Sequence, residues 1–299
     1  MTTKPVRKAV FPVAGFGTRF LPATKSVPKE LLPVVDRPLI QYAVDEALAA
    51  GIEQMIFVTG RSKHAIEDYF DRAFEVEEDL HGKAKHELLE ALAGTRLAPG
   101  QAAFVRQQEM AGLGHAVWCA RYLIGDEPFA VLLPDELLWN PAYPGLRQMC
   151  DSYERHGGNV VMTMEVPEHH THRYGIVSPG AAEQHLVEVK GLVEKPRAGT
   201  APSRLAVVGR YILQPEVIEL LSAREIGAGG EIQLTDAMAK LIGKQPFHAQ
   251  IFQGERHDCG DKVGFIQANI ALALERHDLA GPIREFIAGL HRPSTDDEE

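Results

Sequence analysis

Cysteine is scarce in this 299-residue sequence, and no apolar run is long enough to cross a membrane. The three cysteines, Cys119, Cys150 and Cys259, are widely spaced and form no CxxC pair, which fits neither a disulfide framework nor a structural zinc site. The first ten residues, MTTKPVRKAV, lack the apolar core of a signal peptide. We therefore predict a cytoplasmic protein that does not insert into membranes.

Positive charge is also in deficit. The sequence has 31 lysines and arginines against 41 aspartates and glutamates, a net charge of −10, and contains no long basic run. Such a surface offers no electrostatic attraction to nucleic acid or to an anionic membrane. The G-x-S-x-G and H-E-x-x-H motifs of covalent and zinc-dependent hydrolases are absent as well. We expect small-molecule partners, and any anion among them must be bound by locally placed cations.

Cations do cluster near the N-terminus. The segment Val13–Arg19, VAGFGTR, follows a short apolar run, and Lys25 and Lys29 come before the first acidic residue. Its two glycines let the chain turn so that backbone N–H groups meet an anion, while Arg19, Lys25 and Lys29 supply full charges. The loop lacks the Gly-Lys-Ser/Thr of a Walker A motif and the third glycine of a dinucleotide fingerprint. This pattern predicts a site for a nucleoside triphosphate.

Strand-like and helix-like segments alternate in the first half, as in a parallel sheet. The predicted strands are Lys8–Val13, Gln54–Thr59, Ala103–Arg106 and Phe129–Leu133, and the predicted helices are Pro38–Ala50, Ser62–Phe74 and His115–Ile124. Pro38 suits the first helical position, Gly51 a left-handed cap, and Ser62 the start of the next helix. The charged, leucine-spaced segment between Glu75 and Leu92 predicts an inserted helical hairpin, either a solvated arm or an oligomer contact.

The alternation changes after Gly158, where strands separated by short connections predict mixed or antiparallel pairing. The predicted strands are Asn159–Val166, Tyr174–Ser178, Leu186–Val193, Ala206–Leu213 and His248–Phe252. The predicted helices are Ile232–Ile242, Val263–Arg276 and Pro282–Leu290. The segment Ser294–Glu299, STDDEE, is typical of a solvated tail.

Acidic residues follow two of these strands. Asp135 comes directly after Phe129–Leu133, at the carboxyl end of a central strand, where open α/β sheets bind ligands. A carboxylate beside a polyphosphate is a hard oxygen ligand suited to Mg²⁺. Either Asp258 or Asp261 offers a second carboxylate, and we favour Asp258 because Asp261 suits the N-cap of the next helix.

Two further strand ends carry polar pairs. Glu194 and Lys195 suit a phosphosugar, with the carboxylate binding hydroxyls and the ammonium binding phosphate, although exposed neighbours of this kind also form ordinary surface ion pairs. Gln107 ends another strand, and Gly112 opens the following helix. A side-chain amide beside backbone groups can recognise a base edge, while the alternative is a polar loop.

The segment EHHTHRYG contains His169, His170 and His172. Histidine-rich tracts can bind transition metals, but a closed tetrahedral site needs a nearby cysteine or carboxylate partner that this tract lacks. We predict a solvated loop here.

Eight segments, taken in order, resemble the bacterial UTP–glucose-1-phosphate uridylyltransferases, or UDP-glucose pyrophosphorylases, over about residues 6 to 290. They are VAGFGTRFLPATKSVPKELLPVVDRPLIQYAVDEALAAGI, GLGHAV, LLPDELL, YGIV, VEKP, VGRYIL, GAGGEIQLTDA and HDCGDK. The resemblance implies an α/β, Rossmann-like nucleotidyltransferase fold, with a mixed, mostly parallel central sheet flanked by helices and a smaller β/helical extension. It implies one domain over residues 1–290, with a nucleotide-binding half at 1–140 and a sugar-binding half at 141–290, before an acidic tail at 291–299. It also implies a homo-oligomer, either a dimer or a tetramer.

The same resemblance assigns roles to individual residues. The implied nucleotide-binding residues are Ala14, Gly15, Gly17, Gln107 and Gly112, and the implied catalytic residues are Arg19, Lys29, Asp135 and Lys195. The implied sugar-binding residues are Gly175, Glu194, Lys195 and Glu231, and the implied Mg²⁺ ligands are Asp135 and Asp258. One segment departs from the family pattern, because QQEMA at residues 107–111 is more acidic than the corresponding family loop.

The reaction implied by the resemblance is direct attack by a phosphate oxygen of α-D-glucose 1-phosphate on the α-phosphorus of UTP, assisted by Mg²⁺. Such a reaction depends on positioning and charge neutralisation, so it needs no protein nucleophile. Two alternatives stay open. One is a glucose-1-phosphate thymidylyltransferase, since crowding a single methyl group gives only about 1–3 kcal/mol of discrimination. The other is a non-catalytic nucleotide-sugar-binding regulator on the same fold. A dinucleotide-dependent dehydrogenase agrees only with the α/β alternation.

Overall fold

The computed structural model describes residues 3–290, and its centre is a nine-stranded mixed sheet. The strands are β1 Lys8–Pro12, β2 Pro33–Val34, β3 Arg37–Pro38, β4 Gln54–Thr59, β5 Ala102–Arg106, β6 Phe129–Leu132, β7 Glu136–Trp139, β8 Asn159–Glu165, β9 Gly175–Glu183, β10 Leu186–Glu194, β11 Leu205–Leu213, β12 Phe247–Ile251 and β13 Glu255–Asp258. The order in the large sheet is β5-β4-β1-β6-β11-β8-β12-β10-β9, and two small sheets pair β7 with β13 and β2 with β3.

Helices cover both faces of this sheet. They are α1 Leu39–Ala49, α2 His64–Phe70, α3 Phe74–Gly82, α4 His86–Ala93, α5 Leu113–Cys119, α6 Arg121–Ile124, α7 Gly145–His156, α8 Glu216–Ser222, α9 Leu234–Ala239, α10 Lys262–Glu275 and α11 Ala280–Leu290. In the described part of the chain, no helix has the length and apolar character needed to span a membrane.

Strands β5, β4, β1 and β6, which are neighbours at one side of the large sheet, run parallel. The order in which the chain adds strands to the sheet reverses at β1. From β1 the chain adds β4 and then β5 on one side, and it returns to place β6 on the other side. Such a reversal leaves a crevice outside the carboxyl ends of the two strands, which is where open α/β sheets bind ligands. The loop after Pro12 and the loop after Leu132 therefore open at the same edge.

The second half of the sheet is joined mainly by antiparallel pairs. Strand β11 pairs antiparallel with both β6 and β8, and β9 and β10 form a long hairpin at the far edge. Within that hairpin Gly175 lies opposite Glu194. A contact between Ala206 and Ile176 draws the start of β9 back toward the centre of the sheet. The start of β9 and the end of β10 therefore lie at the same crevice.

Alternation along the central strands divides the core between the two faces of the sheet. On β1, Ala9 and Phe11 join the core under α1 and α7, while Val10 joins the core under α5, α8 and α9. All three side chains are fully buried. A strand that is covered on both faces reads as a continuous apolar run, which is what the sequence shows for β1, β4 and β6.

Several predicted elements are confirmed. The predicted strand Gln54–Thr59 matches β4, and the predicted helical hairpin is formed by α3 and α4. Gly51 follows α1 with a φ of 90°, so it has the left-handed conformation expected of a terminal glycine. The side chain of Asp261 accepts a hydrogen bond of 2.9 Å from the Val263 N–H, so it caps α10 as predicted.

The prediction that Ser62 caps a helix is wrong. Ser62 has a φ of 68°, and α2 begins at His64 without any side-chain cap. The reason is tertiary, because Lys63 is drawn inward to donate a hydrogen bond of 2.7 Å to the buried carboxylate of Glu30. Burial of Lys63 takes priority over local capping by its neighbour.

Three predicted helices are shorter or divided. The predicted helix Ser62–Phe74 yields α2 and the start of α3, and His115–Ile124 yields parts of α5 and α6. The predicted helix Ile232–Ile242 contracts to α9, because Gln233 before it has an extended backbone and the backbone of Ile232 pairs with two groups near α5. Its N–H donates to the Ala111 carbonyl at 2.8 Å, and its carbonyl accepts from the Gly114 N–H at 2.9 Å. Pro38 precedes α1 instead of opening it.

The three cysteines are free thiols, and Cys150 and Cys259 are buried. The tract that contains His169, His170 and His172 is a short 3-10 helix over Glu168–Arg173, not an irregular loop. The predicted acidic tail at Ser294–Glu299 lies outside the described residues.

Candidate active site

A cavity of about 310 Å³ lies between the loop after β1 and the start of α5. Its lining includes Ala14, Gly15, Gln107, Gly112 and Glu231. Four of these are predicted nucleotide-binding residues, and the structure brings them together. Glu231 belonged to the predicted sugar-binding set, but it lines this cavity, which we call the nucleoside-end cavity after the role predicted for the other four.

Glycine is required at position 112 by the close approach of another segment. Gly112 has a φ of 102°, and an added Cβ would lie 2.7 Å from the Glu231 Cβ and 2.9 Å from the Ile232 carbonyl oxygen. The Gln107 side-chain amide donates to the Gly112 carbonyl at 3.1 Å and lies 3.2 Å from the His115 Nδ1. These contacts hold the amide in one orientation and leave its Oε1 oxygen to accept.

The phosphate-binding loop predicted after β1 is a tight turn closed over Lys29. Gly17 has a φ of 65°, an added Cβ there would lie 3.0 Å from the Lys29 Cβ, and its carbonyl accepts from the Thr24 hydroxyl at 2.8 Å. Arg19 reaches across to donate to the Gly260 carbonyl at 3.3 Å. Lys25 is exposed in the next 3-10 turn. Arg19 and Lys29 therefore lie beside the acidic residues, whereas Lys25 points to solvent.

A second cavity, of about 330 Å³, adjoins the first, since Leu113 lines both. The predicted residues in its lining are Arg19, Asp135, Gly175, Glu194, Lys195 and Asp258. They come from five separate segments of the chain. We call this second cavity the sugar-phosphate cavity, after the role predicted for its residues, to distinguish it from the nucleoside-end cavity.

Asp135 and Asp258 lie close together because two short strands pair. Strand β7 begins directly after Asp135, and β13 ends at Asp258. In the β7–β13 pair Asp258 lies opposite Glu136. A Cβ at Gly260 would lie 3.0 Å from Asp135 Oδ2 and 3.1 Å from Asp258 Oδ1, so the missing side chain leaves room between the two carboxylates. Asp261 is engaged as the cap of α10, which leaves Asp258 as the second carboxylate in the cavity wall.

This donor set fits a hard divalent cation. No group of three or more histidine, cysteine or acidic side chains within residues 3–290 is arranged to hold a metal. Two carboxylates are nonetheless what Mg²⁺ uses in nucleotide sites, because waters and substrate phosphates complete its octahedron. The Asp135 and Asp258 carboxylates fit that role.

The charges of Lys29 and Asp135 stabilise each other, with Nζ and Oδ2 2.5 Å apart. Burial by itself raises the pKa of Asp135, but the Lys29 ammonium and Arg19 outweigh it, and the pKa lies below its usual value. Burial likewise lowers the pKa of Lys29, but Asp135 and Glu30 raise it more, so the pKa lies above its usual value. Both groups are therefore charged at neutral pH.

The sugar-side residues are organised around Glu194. A Cβ at Gly175 would lie 3.2 Å from the Glu194 Oε2, which also accepts a hydrogen bond of 2.7 Å from the Thr235 hydroxyl. The Lys195 backbone has a φ of 45°, its N–H donates to the Tyr174 carbonyl at 3.0 Å, and its ammonium lies 3.5 Å from Glu194 Oε1. The Lys195 side chain is 51% exposed, so its ammonium is free to meet a ligand.

Our sequence reasoning missed several residues that line the sugar-phosphate cavity. They are Glu136, Arg173, Tyr174, Tyr211, Gln233 and Thr235. Most of them lie within the segments that carry the family resemblance, such as YGIV and GAGGEIQLTDA, and that proximity was the available signal. Arg173 is the last residue of the histidine tract, and its guanidinium approaches Asp258 Oδ2 at 3.3 Å, so it links that tract to the site.

Comparisons with known proteins agree with this geometry. The family model for nucleotidyl transferases matches residues 8–275. The chain is 51% identical over 288 residues to a UTP–glucose-1-phosphate uridylyltransferase of Bacillus subtilis (strain 168), covering 96% of this chain and 98% of that protein.

Solved structures are similar as well. A UTP-bound UGPase from Acinetobacter baumannii superimposes with a TM-score of 0.88 at 44% identity, covering 95% of this chain and 99% of that one. A UDP-glucose pyrophosphorylase complexed with UDP-glucose gives a TM-score of 0.80 at 43% identity, covering 91% and 100%. The predicted fold class and the resemblance are confirmed: the chain belongs to the nucleotidyl transferase family, among its UTP–glucose-1-phosphate uridylyltransferases.

Proposed function

We propose that this protein transfers the uridylyl group of UTP to α-D-glucose 1-phosphate, forming UDP-glucose and pyrophosphate. The observation that carries the proposal is that two cavities meet at Leu113, and that cations and two carboxylates line the second of them. The reaction needs the same order of parts: a base pocket, a charged centre and a sugar pocket. The assignment is supported by relatives such as the Bacillus subtilis protein, which is named for this activity.

The base is held at the nucleoside-end cavity. Uracil presents an N3–H donor between two carbonyl acceptors, and the Gln107 Oε1 is an acceptor in a fixed orientation. Ala14, Gly15 and Gly112 line the same cavity, and the glycines at positions 15 and 112 allow the nucleoside to approach the backbone closely. The sugar-binding role expected for Glu231 stays a prediction.

Catalysis at the junction consists of bringing two anions together. A phosphate oxygen of glucose 1-phosphate forms a bond to the α-phosphorus of UTP, while the bond from that phosphorus to the bridging oxygen of pyrophosphate breaks. Arg19, Lys29 and Lys195 are the cations around this point, and they offset the repulsion between the substrates. No protein nucleophile takes part.

The site also suits one divalent cation, and we propose Mg²⁺ as that ion. Asp135 and Asp258 would hold it. When bound, it would neutralise charge on the phosphate oxygens and help to align the reacting groups.

At the sugar end, Glu194 is placed to accept hydrogen bonds from glucose hydroxyls. Its carboxylate is oriented by Thr235, and the glycine at position 175 leaves space directly beside it. Lys195, the next residue, is placed to bind the sugar phosphate. One turn of chain thus supplies both contacts.

The test is a pyrophosphate-release assay with glucose 1-phosphate and each of UTP, dTTP, ATP, CTP and GTP, with and without Mg²⁺. We expect UTP to be turned over fastest, UDP-glucose to form, and activity to require the divalent ion. Faster turnover of dTTP would replace the proposal with thymidylyl transfer. Binding of UDP-glucose without turnover of any nucleotide would replace it with a regulatory role.

We also propose that the protein is a homo-oligomer, a dimer or a tetramer, as the family resemblance implies. Light scattering on the purified chain after size-exclusion chromatography measures its mass directly. A mass near the 32.9 kDa of one chain would contradict this proposal.

A further inference from the structure

Arg256 connects three parts of the site that are far apart in the sequence. It lies on β13, two residues before Asp258. Its Nε and Nη2 donate to the two oxygens of Glu136 at 2.7 and 2.8 Å, and Glu136 directly follows Asp135. Its Nη1 donates to the Tyr174 hydroxyl at 3.3 Å, next to Gly175. One guanidinium therefore contacts the Asp135 loop and the start of the sugar-binding hairpin.

These contacts are enclosed by protein. The side chains of Arg256 and Glu136 are only 11% and 14% exposed. Gly209, with a φ of 66°, makes room for Glu136, since an added Cβ would lie 2.7 Å from the Glu136 Cγ. The guanidinium carbon also lies 5.1 Å from the centre of the Tyr174 ring, within the range of a cation–π contact. Backbone geometry is thus adapted to hold this arrangement.

A buried ion pair of this kind adds little to stability, because removing two charges from water costs about as much as their attraction returns. Its effect on geometry is larger. A planar guanidinium bound at both carboxylate oxygens has one orientation, so its remaining nitrogen holds Tyr174 at one place. The Tyr174 carbonyl in turn accepts the Lys195 N–H at 3.0 Å.

We infer that Arg256 is a positioning residue for uridylyl transfer, which sets the distance between the Asp135 loop and the turn that carries Glu194 and Lys195. The inference rests on the proposed function and extends it. Arg256 lines neither cavity, but its partners Glu136 and Tyr174 both line the sugar-phosphate cavity, and neither lines the nucleoside-end cavity. Its loss should therefore weaken binding of the sugar and leave binding of the nucleotide intact.

The experiment compares wild type with Arg256→Met, Arg256→Lys and the double variant Glu136→Leu/Arg256→Met. We expect the KM for glucose 1-phosphate to rise about tenfold or more in all three, while the KM for UTP changes less than about twofold. Lysine should not rescue, because an ammonium cannot bind both carboxylate oxygens and Tyr174 at once. The double variant leaves no unpaired buried charge, so its Tm should stay near the wild-type value.

Two further variants sharpen the result. Tyr174→Phe should cause a smaller rise in the same KM and should add nothing to Arg256→Met, since both changes remove one shared contact. Arg147→Met is the matched control, because Arg147 pairs with Asp151 on α7 and lies outside the lining of both cavities. Its kinetic constants should match those of wild type.

A well-folded double variant with a wild-type KM for glucose 1-phosphate would overturn the inference, as would equal increases in the two KM values. Calorimetric titration with UTP and with UDP-glucose separates this outcome from failure of the proposed function. If wild type binds both ligands without turnover, the proposed function fails. The inference still predicts that Arg256→Met loses about tenfold in affinity for UDP-glucose and little for UTP, and equal affinities would overturn it.

Discussion

The two cavities of the site are built in different ways. The nucleoside-end cavity is lined mainly by glycine, alanine and larger apolar residues, with Gln107 and Glu231 as its polar members. Gln107 and Gly112, which shape it, are only a few positions apart in the chain. The sugar-phosphate cavity is lined by charged side chains from five segments, held by ion pairs such as Lys29–Asp135 and Glu136–Arg256. Shape governs the first cavity, and charge balance governs the second.

Because the two cavities are built differently, different kinds of substitution should disrupt them. A shape-based cavity fails when an atom is added, because the neighbouring backbone cannot move away. A charge-based cavity fails when a single partner is removed, because the remaining charge is left uncompensated. The four substitutions below test this contrast, in order of decreasing expected effect.

Glu46→Ala should have the largest effect, through the support of the charged cavity. Arg210 is a fully buried arginine that binds the Glu46 carboxylate at 2.8 and 3.0 Å and also holds the carbonyls of Leu133 and Glu136, on either side of Asp135. Removing Glu46 leaves Arg210 buried without a counter-charge. We expect the free energy of unfolding in urea to fall by about 3–5 kcal/mol.

The control for this change is Glu165→Ala, which breaks an exposed pair with Arg204. Its free energy of unfolding should change by no more than about 1 kcal/mol. Equal effects of the two substitutions would contradict the structural role given to Glu46.

Asp135→Asn should lower kcat by about 100- to 1,000-fold without unfolding the protein. The substitution removes the charge that pairs with Lys29 and that is proposed to anchor the divalent ion. Steady-state kinetics at several Mg²⁺ concentrations and a circular dichroism spectrum measure both effects. Asp261→Asn is the control, because asparagine caps a helix about as well as aspartate, and its kcat should stay near wild type. A near-wild-type Asp135→Asn enzyme would remove Asp135 from the site.

Lys195→Ala should raise the KM for glucose 1-phosphate about tenfold and lower kcat as well, because the ammonium is assigned to the sugar phosphate. The KM for UTP should change less. Lys190→Ala provides a matched control on β10, the strand that Lys195 follows, since Lys190 pairs with Glu188 and lines neither cavity of the site. Unchanged constants for Lys195→Ala would refute the assignment.

Gly112→Ala should weaken UTP binding about tenfold, with a smaller effect on the sugar phosphate. The added methyl group would lie 2.7 Å from the Glu231 Cβ, at a φ of 102° that alanine rarely adopts. Gly125→Ala is the control, because Gly125 also has a positive φ, 63°, but has open space where its Cβ would lie. Similar losses of UTP affinity in both variants would show that backbone strain, and not the close approach at Gly112, is responsible.

Much of the nucleoside end could be predicted from the sequence because its signals are local. The glycine-rich loop follows β1 directly, Gln107 follows β5, and Gly112 directly precedes α5, so strand and helix periodicity locate all three at one edge of the sheet. Asp135 was predictable for the same reason, since it follows the buried strand β6. Backbone direction alone determines such positions.

The links between remote segments could not be predicted in this way. Arg256 and Glu136 are separated by 120 positions, and no local pattern marks them as partners. The failure at Ser62 has the same origin, because the pairing of Lys63 with Glu30 is a tertiary contact. Local propensities are weak compared with the cost of leaving a buried charge unpaired.

The order of residues along the chain was enough to predict the α/β alternation, the glycine-rich loop after β1, the acidic residues at strand ends and, through the order of the motifs, the family. The folded structure was needed to show that Asp258 lines the cavity while Asp261 caps α10, that Glu231 lies beside Gly112, and that Arg256 contacts both Glu136 and Tyr174. The physical reason is the range of the interactions. Periodicity and turn chemistry act between near neighbours in the chain, whereas burial and charge pairing act between any groups that the folded sheet brings together.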